Sequence, residues 1–299
     1  MSKSAVNRII AVAVLAVISV AAILIFKSRI VVSPPVYPKD TEENYTPDVT
    51  TEKPDETKTP DTGTDTPDTE VDPYDDNPYV LKETPAASMD YLERLVFIGD
   101  RTIGEMTDYA ITELPYLTRQ VWSCQENASL ARAIHTESFL YLDMGEYVSF
   151  STAIKDYTPT YAVLTFGSFT DDPNVEYTKE DFLSSYGELI ASLSAASPNT
   201  QFIIQSILPV GEGCPVITPD QIKERNEWLK EFCYINGIYY LDSYSVLANP
   251  NGNLFVEYYD PENITDDTQG YTMNDVGYRK MIEYLLTHAH PSYVPAIEE

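Results

Sequence analysis

The stretch LVFIGDRTIGEM, Leu95 to Met106, decides the fold. Leu95 to Ile98 are apolar without alternation, the pattern of a strand buried on both faces of a parallel sheet. The run ends in Gly99-Asp100 and turns into residues of helical character. That turn is where a three-layer α/β protein keeps its working residue. No Ser, Cys or His stands there, so the stretch predicts an enzyme-like fold and leaves open whether a nucleophile exists elsewhere.

Working outward, the same kind of run recurs in TRQVWSC (Thr118 to Cys124), YAVLTFG (Tyr161 to Gly167), QFIIQSI (Gln201 to Ile207) and IYYLDSY (Ile238 to Tyr244). Helical patterns separate them. TKEDFLSSYGELIASLSAAS opens with a capping signature, Thr178 to Asp181, and sets Phe182, Tyr186, Leu189, Ile190 and Leu193 on one face. PDQIKERNEWLKEFCYI and NDVGYRKMIEYLLTH give two more helices. A repeated β-α unit predicts a parallel sheet covered by helices on both sides. Ligands in such sheets sit beyond the carboxyl ends of the strands. The turns after Asp100, Cys124, Gly167 and Ile207, and the loop before the last helix, are therefore the candidate site.

The chain before this region is of another kind. Ile9 to Phe26, IIAVAVLAVISVAAILIF, is broken only by Ser19. At about 1.5 Å per residue it reaches roughly 27 Å, close to a hydrocarbon core of about 30 Å. It is expected to be a transmembrane helix over 9–26, with residues 1–8 cytoplasmic and the remainder outside. A cleaved signal peptide is the competing expectation. Residues 33–87, rich in Thr, Pro, Asp and Glu, bury too little apolar surface to offset the entropy of ordering them and predict a disordered linker. Residues 88–299 are left for the folded domain.

The formal net charge of -28 divides into +4 before residue 31, -11 over residues 31–87 and -21 beyond. No basic patch is visible, which argues against nucleic acid as a partner. Cys124, Cys214 and Cys233 show no C-x-x-C spacing and are expected as small buried hydrophobes, with one disulfide left open. The acidic pairs Asp171-Asp172 and Asp266-Asp267 lack the spacing of a calcium loop, so no metal or other cofactor is expected.

Across Leu95 to about Leu286 the chain resembles the SGNH, or GDSL-type, hydrolases. FIGD-RTIG is similar to their first block, YAVLTFGSF to the third, and QGYTMNDVGYRKM to the last. The resemblance implies a flavodoxin-like α/β/α fold with a five-stranded parallel sheet, and in the family an acyl-ester hydrolase or transferase. That chemistry needs a Ser after Gly-Asp, a His in the last block oriented by an Asp, and an oxyanion hole completed by a Gly and an Asn. Here Arg101 and Thr102 follow Asp100, and no Gly occurs from Asp108 to Met144. Phe169 stands in the Asn position of Gly167-Ser168-Phe169, Gln269 replaces the Asp and Thr272 the His. The framing residues Gly99, Asp100, Gly167, Asn274, Gly277 and Tyr278 remain.

No other residue is expected to supply the missing base, although His135, after the second strand, could approach the site. His288 and His290 follow the last helix, about 18 Å long over a dozen residues, and are expected at the far end of the molecule. His135 has no nucleophile beside it in sequence. The cleft candidates are therefore Asp100, Arg101, Thr102, Gly167, Ser168, Phe169, Gln269 and Thr272. The expected function is that of a membrane-anchored pseudoenzyme that binds a cell-wall carbohydrate or an envelope protein. An esterase or acyltransferase with unorthodox residues is the alternative, and a docking role without a ligand cleft is a third.

Overall fold

A computed structural model describes residues 77–124, 130, 134, 139–169, 177–259 and 273–295. The expected membrane helix over 9–26, linker residues 33–76, His135, the two acidic pairs, Gln269 and Thr272 lie outside the described residues. Among the described residues no helix is long and apolar enough to cross a membrane.

In chain order the elements are α1 (Met89–Glu93), β1 (Leu95–Gly99), α2 (Arg101–Gly104), α3 (Met106–Glu113), β2 (Val121–Ser123), β3 (Phe139–Tyr141), β4 (Glu146–Val148), α4 (Phe150–Tyr157) and β5 (Tyr161–Thr165). There follow α5 (Lys179–Ala196), β6 (Gln201–Gln205), α6 (Pro219–Asn236), β7 (Tyr239–Leu241), α7 (Tyr244–Leu247) and α8 (Asp275–Thr287). Five strands form one sheet in the order β2-β1-β5-β6-β7, every pair parallel. Counted among themselves the order is 2-1-3-4-5, that of flavodoxin-like folds. Each of the five apolar runs supplies one of these strands.

The unbroken apolar character of β1 and β5 follows from burial of all five residues in each. Side chains of a strand alternate between faces. Val96 and Ile98 accordingly join the core formed with α5 and α6, while Leu95 and Phe97 join the core formed with α1, α3 and α8. The three long helices start at side-chain caps, that at Thr178 as the sequence predicts. The Thr178 hydroxyl accepts from Asp181 N at 3.1 Å, and Asn274 Oδ1 accepts from Gly277 N at 3.0 Å. A reciprocal capping box joins Thr218 and Gln221 at the start of α6, and Gly237 ends that helix at φ 65°.

Two features depart from the expectations. β3 and β4 form a separate antiparallel hairpin, stacked through Phe139 on Trp122 and Phe150. The second is the domain boundary, because residues 77–87, expected as linker, are packed. Leu81 N donates to Tyr240 O at 2.9 Å, and Tyr240 N donates to Tyr79 O at 2.8 Å. These bonds cover the open side of β7, an edge that otherwise leaves its backbone groups without partners. Leu81 and Ala87 are buried. Acidic and Pro-rich composition placed the boundary too late, since Tyr79-Val80-Leu81 is a short apolar segment at the end of a polar one.

Leu81→Ala is therefore expected to destabilise the domain by about 2–4 kcal/mol, read from the urea unfolding midpoint. A residue of a true linker would change it by no more than about 0.5 kcal/mol.

Candidate functional site

The chain leaves β1 for β2 on one side and returns to β5 on the other, so the switch in strand order lies between β1 and β5. The turns there carry Asp100 and Gly167-Ser168-Phe169. Asp100 is the N-cap of α2 and its side chain is buried. Oδ1 accepts from Thr102 N at 3.0 Å and from Thr102 Oγ1 at 2.6 Å. Oδ2 accepts from Gly167 N at 3.1 Å and Ser168 N at 3.2 Å. One carboxylate thus joins both turns. Burial pushes this carboxyl above its ordinary range, and the four donors oppose that push.

Two glycines permit the close approach. A Cβ on Gly99 would lie 2.6 Å from Thr165 O, and one on Gly167, at φ 130°, would lie 2.6 Å from Ile207 Cδ1. The neighbouring turns are held as well. Arg225 Nη1 donates to Gly167 O at 2.5 Å, Asn226 brackets Ile207 through its N–H and carbonyl, and Ser123 Oγ donates to Asp100 O at 2.8 Å. Tyr278 of α8 reaches Thr102 O at 3.3 Å.

The structure brings together Asp100, Thr102, Gly167 and Ser168, all buried. Phe169 is only 3% exposed and belongs to the core, where it fills space rather than offering a hydrogen-bond donor. Arg101 points elsewhere, its Nε 3.1 Å from Glu105 Oε1. With Gly104, Ser123 and Cys124 it lines a cleft of about 400 Å³ between α2, the end of β2 and the β3–β4 hairpin. Leu140 and Leu142 form the apolar side of that cleft, and Arg119 stands on its rim in an ion pair with Asp143. This cleft lies one strand away from the switch point. Sequence reasoning missed the hairpin and Arg225; the short apolar run Phe139-Leu140-Tyr141-Leu142 followed by the turn residues Asp143-Met144-Gly145 was the only signal for the hairpin.

His290 lies at the other end of the sheet, whereas His288, at the end of α8, is close enough to Asp242 after β7 to favour its charged form. His290 lines a groove with Thr200 and Gln201 at the amino end of β6, and His288 Nδ1 donates to Tyr284 O at 2.9 Å. None of the three cysteines is in a disulfide. Cys233 is fully buried, and burial pushes its thiol well up, as fits a small hydrophobe. Among the described residues no group of three or more His, Cys, Asp or Glu side chains is placed to hold a metal ion.

No family model and no curated protein matches the sequence. Solved structures similar to it include a candidate acylhydrolase from Bacteroides fragilis NCTC 9343 (17% identity, 68% of this chain and 87% of the other, TM-score 0.44). A candidate platelet activating factor from Streptococcus pneumonia is similar at 18% identity, over 64% of this chain and 81% of the other, with TM-score 0.43. A candidate lipolytic protein of the G-D-S-L family from Desulfitobacterium hafniense DCB-2 follows at 19%, over 64% and 95%, with TM-score 0.36. These values concern overall shape only, and the fold assignment stands on strand order and register.

Asp100→Asn keeps the side-chain shape but turns an amide NH₂ toward two of the four donors. It is expected to destabilise the domain by about 2–5 kcal/mol in urea unfolding, whereas Glu105→Gln at the half-exposed ion pair is expected to cost under about 1 kcal/mol.

Proposed function

We propose that this chain is an envelope-anchored binding or interaction module that retains an SGNH-like scaffold without acyl-transfer chemistry. The observation that carries this is the state of the first turn. Where the resemblance calls for a serine after Asp100, the chain has Arg101, and the Asp100 carboxylate is committed to four donors from two turns. A hydroxyl needs an adjacent base to become a nucleophile. Ser168 and Thr102 are buried, and His290 is at the opposite end of the sheet.

The framing residues support the same view because each has a structural duty. Asn274 caps α8 and donates to Glu257 O. Gly277 passes close to Tyr258 O, a Cβ there lying 3.0 Å away, so a side chain would make the neighbouring backbone give. Tyr278 ties α8 to α2. What is kept holds the fold together, and what is missing would have done chemistry. In this proposal the apolar helix at residues 9–26 holds the chain to the membrane, the Thr/Pro/Asp-rich segment spaces it outward, and a cell-wall carbohydrate or an envelope protein is the partner.

Full-length protein offered p-nitrophenyl acetate and butyrate is expected to release p-nitrophenol at the rate of buffer alone. Turnover above that rate which Ser168→Ala abolishes would replace this proposal with an esterase or acyltransferase using unorthodox residues.

A further inference from the structure

A second and larger recess lies at the amino ends of β6 and β7, on the far side of the sheet from Asp100. It has a volume of about 570 Å³ and is bounded by α5, the end of α6 and His290. Small residues on α5, among them Ala191 and Ala195, leave the space open. Phe202 and Tyr239, both half-buried, supply aromatic walls, with Ile190 completing the apolar lining. Every other lining residue is small, apolar or an uncharged polar type such as Thr200. The combination of this size, an apolar lining and a few polar groups is that of small-molecule sites.

The imidazole of His290 is fixed in orientation and tautomer. Its ring packs against Tyr161 and Tyr239, with centroids 5.3 and 4.6 Å away. Ser292 N donates to Nδ1 at 3.2 Å, and Ser292 Oγ lies 2.8 Å from the same nitrogen. A neutral imidazole that accepts at Nδ1 carries its proton on Nε2. Burial pushes the ring's pKa down to about 4, so it stays neutral at ordinary pH. A charged ligand would leave water here without a counter-charge, which is costly. A neutral ligand with a flat ring suits the aromatic walls, and an acceptor on it suits an N–H donor.

We propose that this recess is a binding site for an uncharged small molecule bearing a flat ring and a hydrogen-bond acceptor, the acceptor being held by His290 Nε2–H. The site is independent of the cleft beside β2 and of whether the chain hydrolyses esters.

The test uses three probes of one shape, benzamide, benzoate and benzylammonium, and saturation-transfer difference NMR on the full-length chain. Benzamide is expected to give a saturable signal, with both ions giving several-fold less. Ala195→Trp, which fills the recess, is expected to abolish the benzamide signal. His290→Phe, which keeps a ring between the two tyrosines and removes the donor, is expected to weaken binding roughly fivefold to tenfold. The two variants act by different routes, so either one that folds suffices. No benzamide signal from the wild-type chain, equal signals from all three probes, or undiminished benzamide binding in a folded variant would overturn the proposal.

Discussion

A carboxylate that leaves water must find hydrogen-bond donors inside the protein, because an unpaired buried charge is prohibitively costly. Asp100 finds four, two from Thr102 on its own turn and two from the turn after β5. Because one side chain serves both turns, the carboxyl ends of β1 and β5 are fixed to each other at the point where the strand order reverses. The rest of the upper surface is arranged around this junction. Gly99 and Gly167 allow the backbones to approach, Arg225 holds the Gly167 carbonyl, and Tyr278 carries the constraint to the last helix.

This junction has a consequence for function. In an open α/β sheet the crevice at the switch point is the usual place for a ligand. Among the described residues, Asp100, Ser168 and Phe169 are buried at that point, while recesses lie beside β2 and at the opposite end of the sheet. A fold sets where sites can be built and does not set their chemistry. The chain keeps the residues that shape the junction, Gly99, Asp100 and Gly167, and has Arg101 and Phe169 beside them. The two recesses differ in kind: the one beside β2 is flanked by guanidinium groups and an exposed hairpin, and the other is uncharged and built around an imidazole of fixed tautomer.

The sheet was legible in the sequence because its strands are buried on both faces, and burial writes itself as unbroken apolar runs such as Leu95 to Ile98. The long helices were legible through their apolar patterns, and the one after β5 also through its cap at Thr178. The β3–β4 hairpin was not, because three-residue strands carry little periodicity and Leu140 and Tyr147 face solvent. The packed start of the domain was hidden by its neighbours, since Tyr79 to Leu81 follow a long acidic stretch. At the candidate site the sequence pointed to the turns after β1 and β5, where Asp100 and Gly167 meet. It did not show that Asp100 spans two turns, that Arg101 leaves the junction, or that Arg225 enters it, because those relations join residues distant in the chain.

Native-state hydrogen exchange at the amides of Gly167 and Ser168 tests the central claim most directly. Residues on a loop beyond a strand ordinarily exchange through local opening, at far lower free energy than the strand itself. If the Asp100 carboxylate holds both amides, they will exchange only with global unfolding, with protection matching that of Val163 and Leu164 in β5. Exchange of these two amides at the rate of an open loop, while β5 stays protected, would contradict the junction between the turns after β1 and β5.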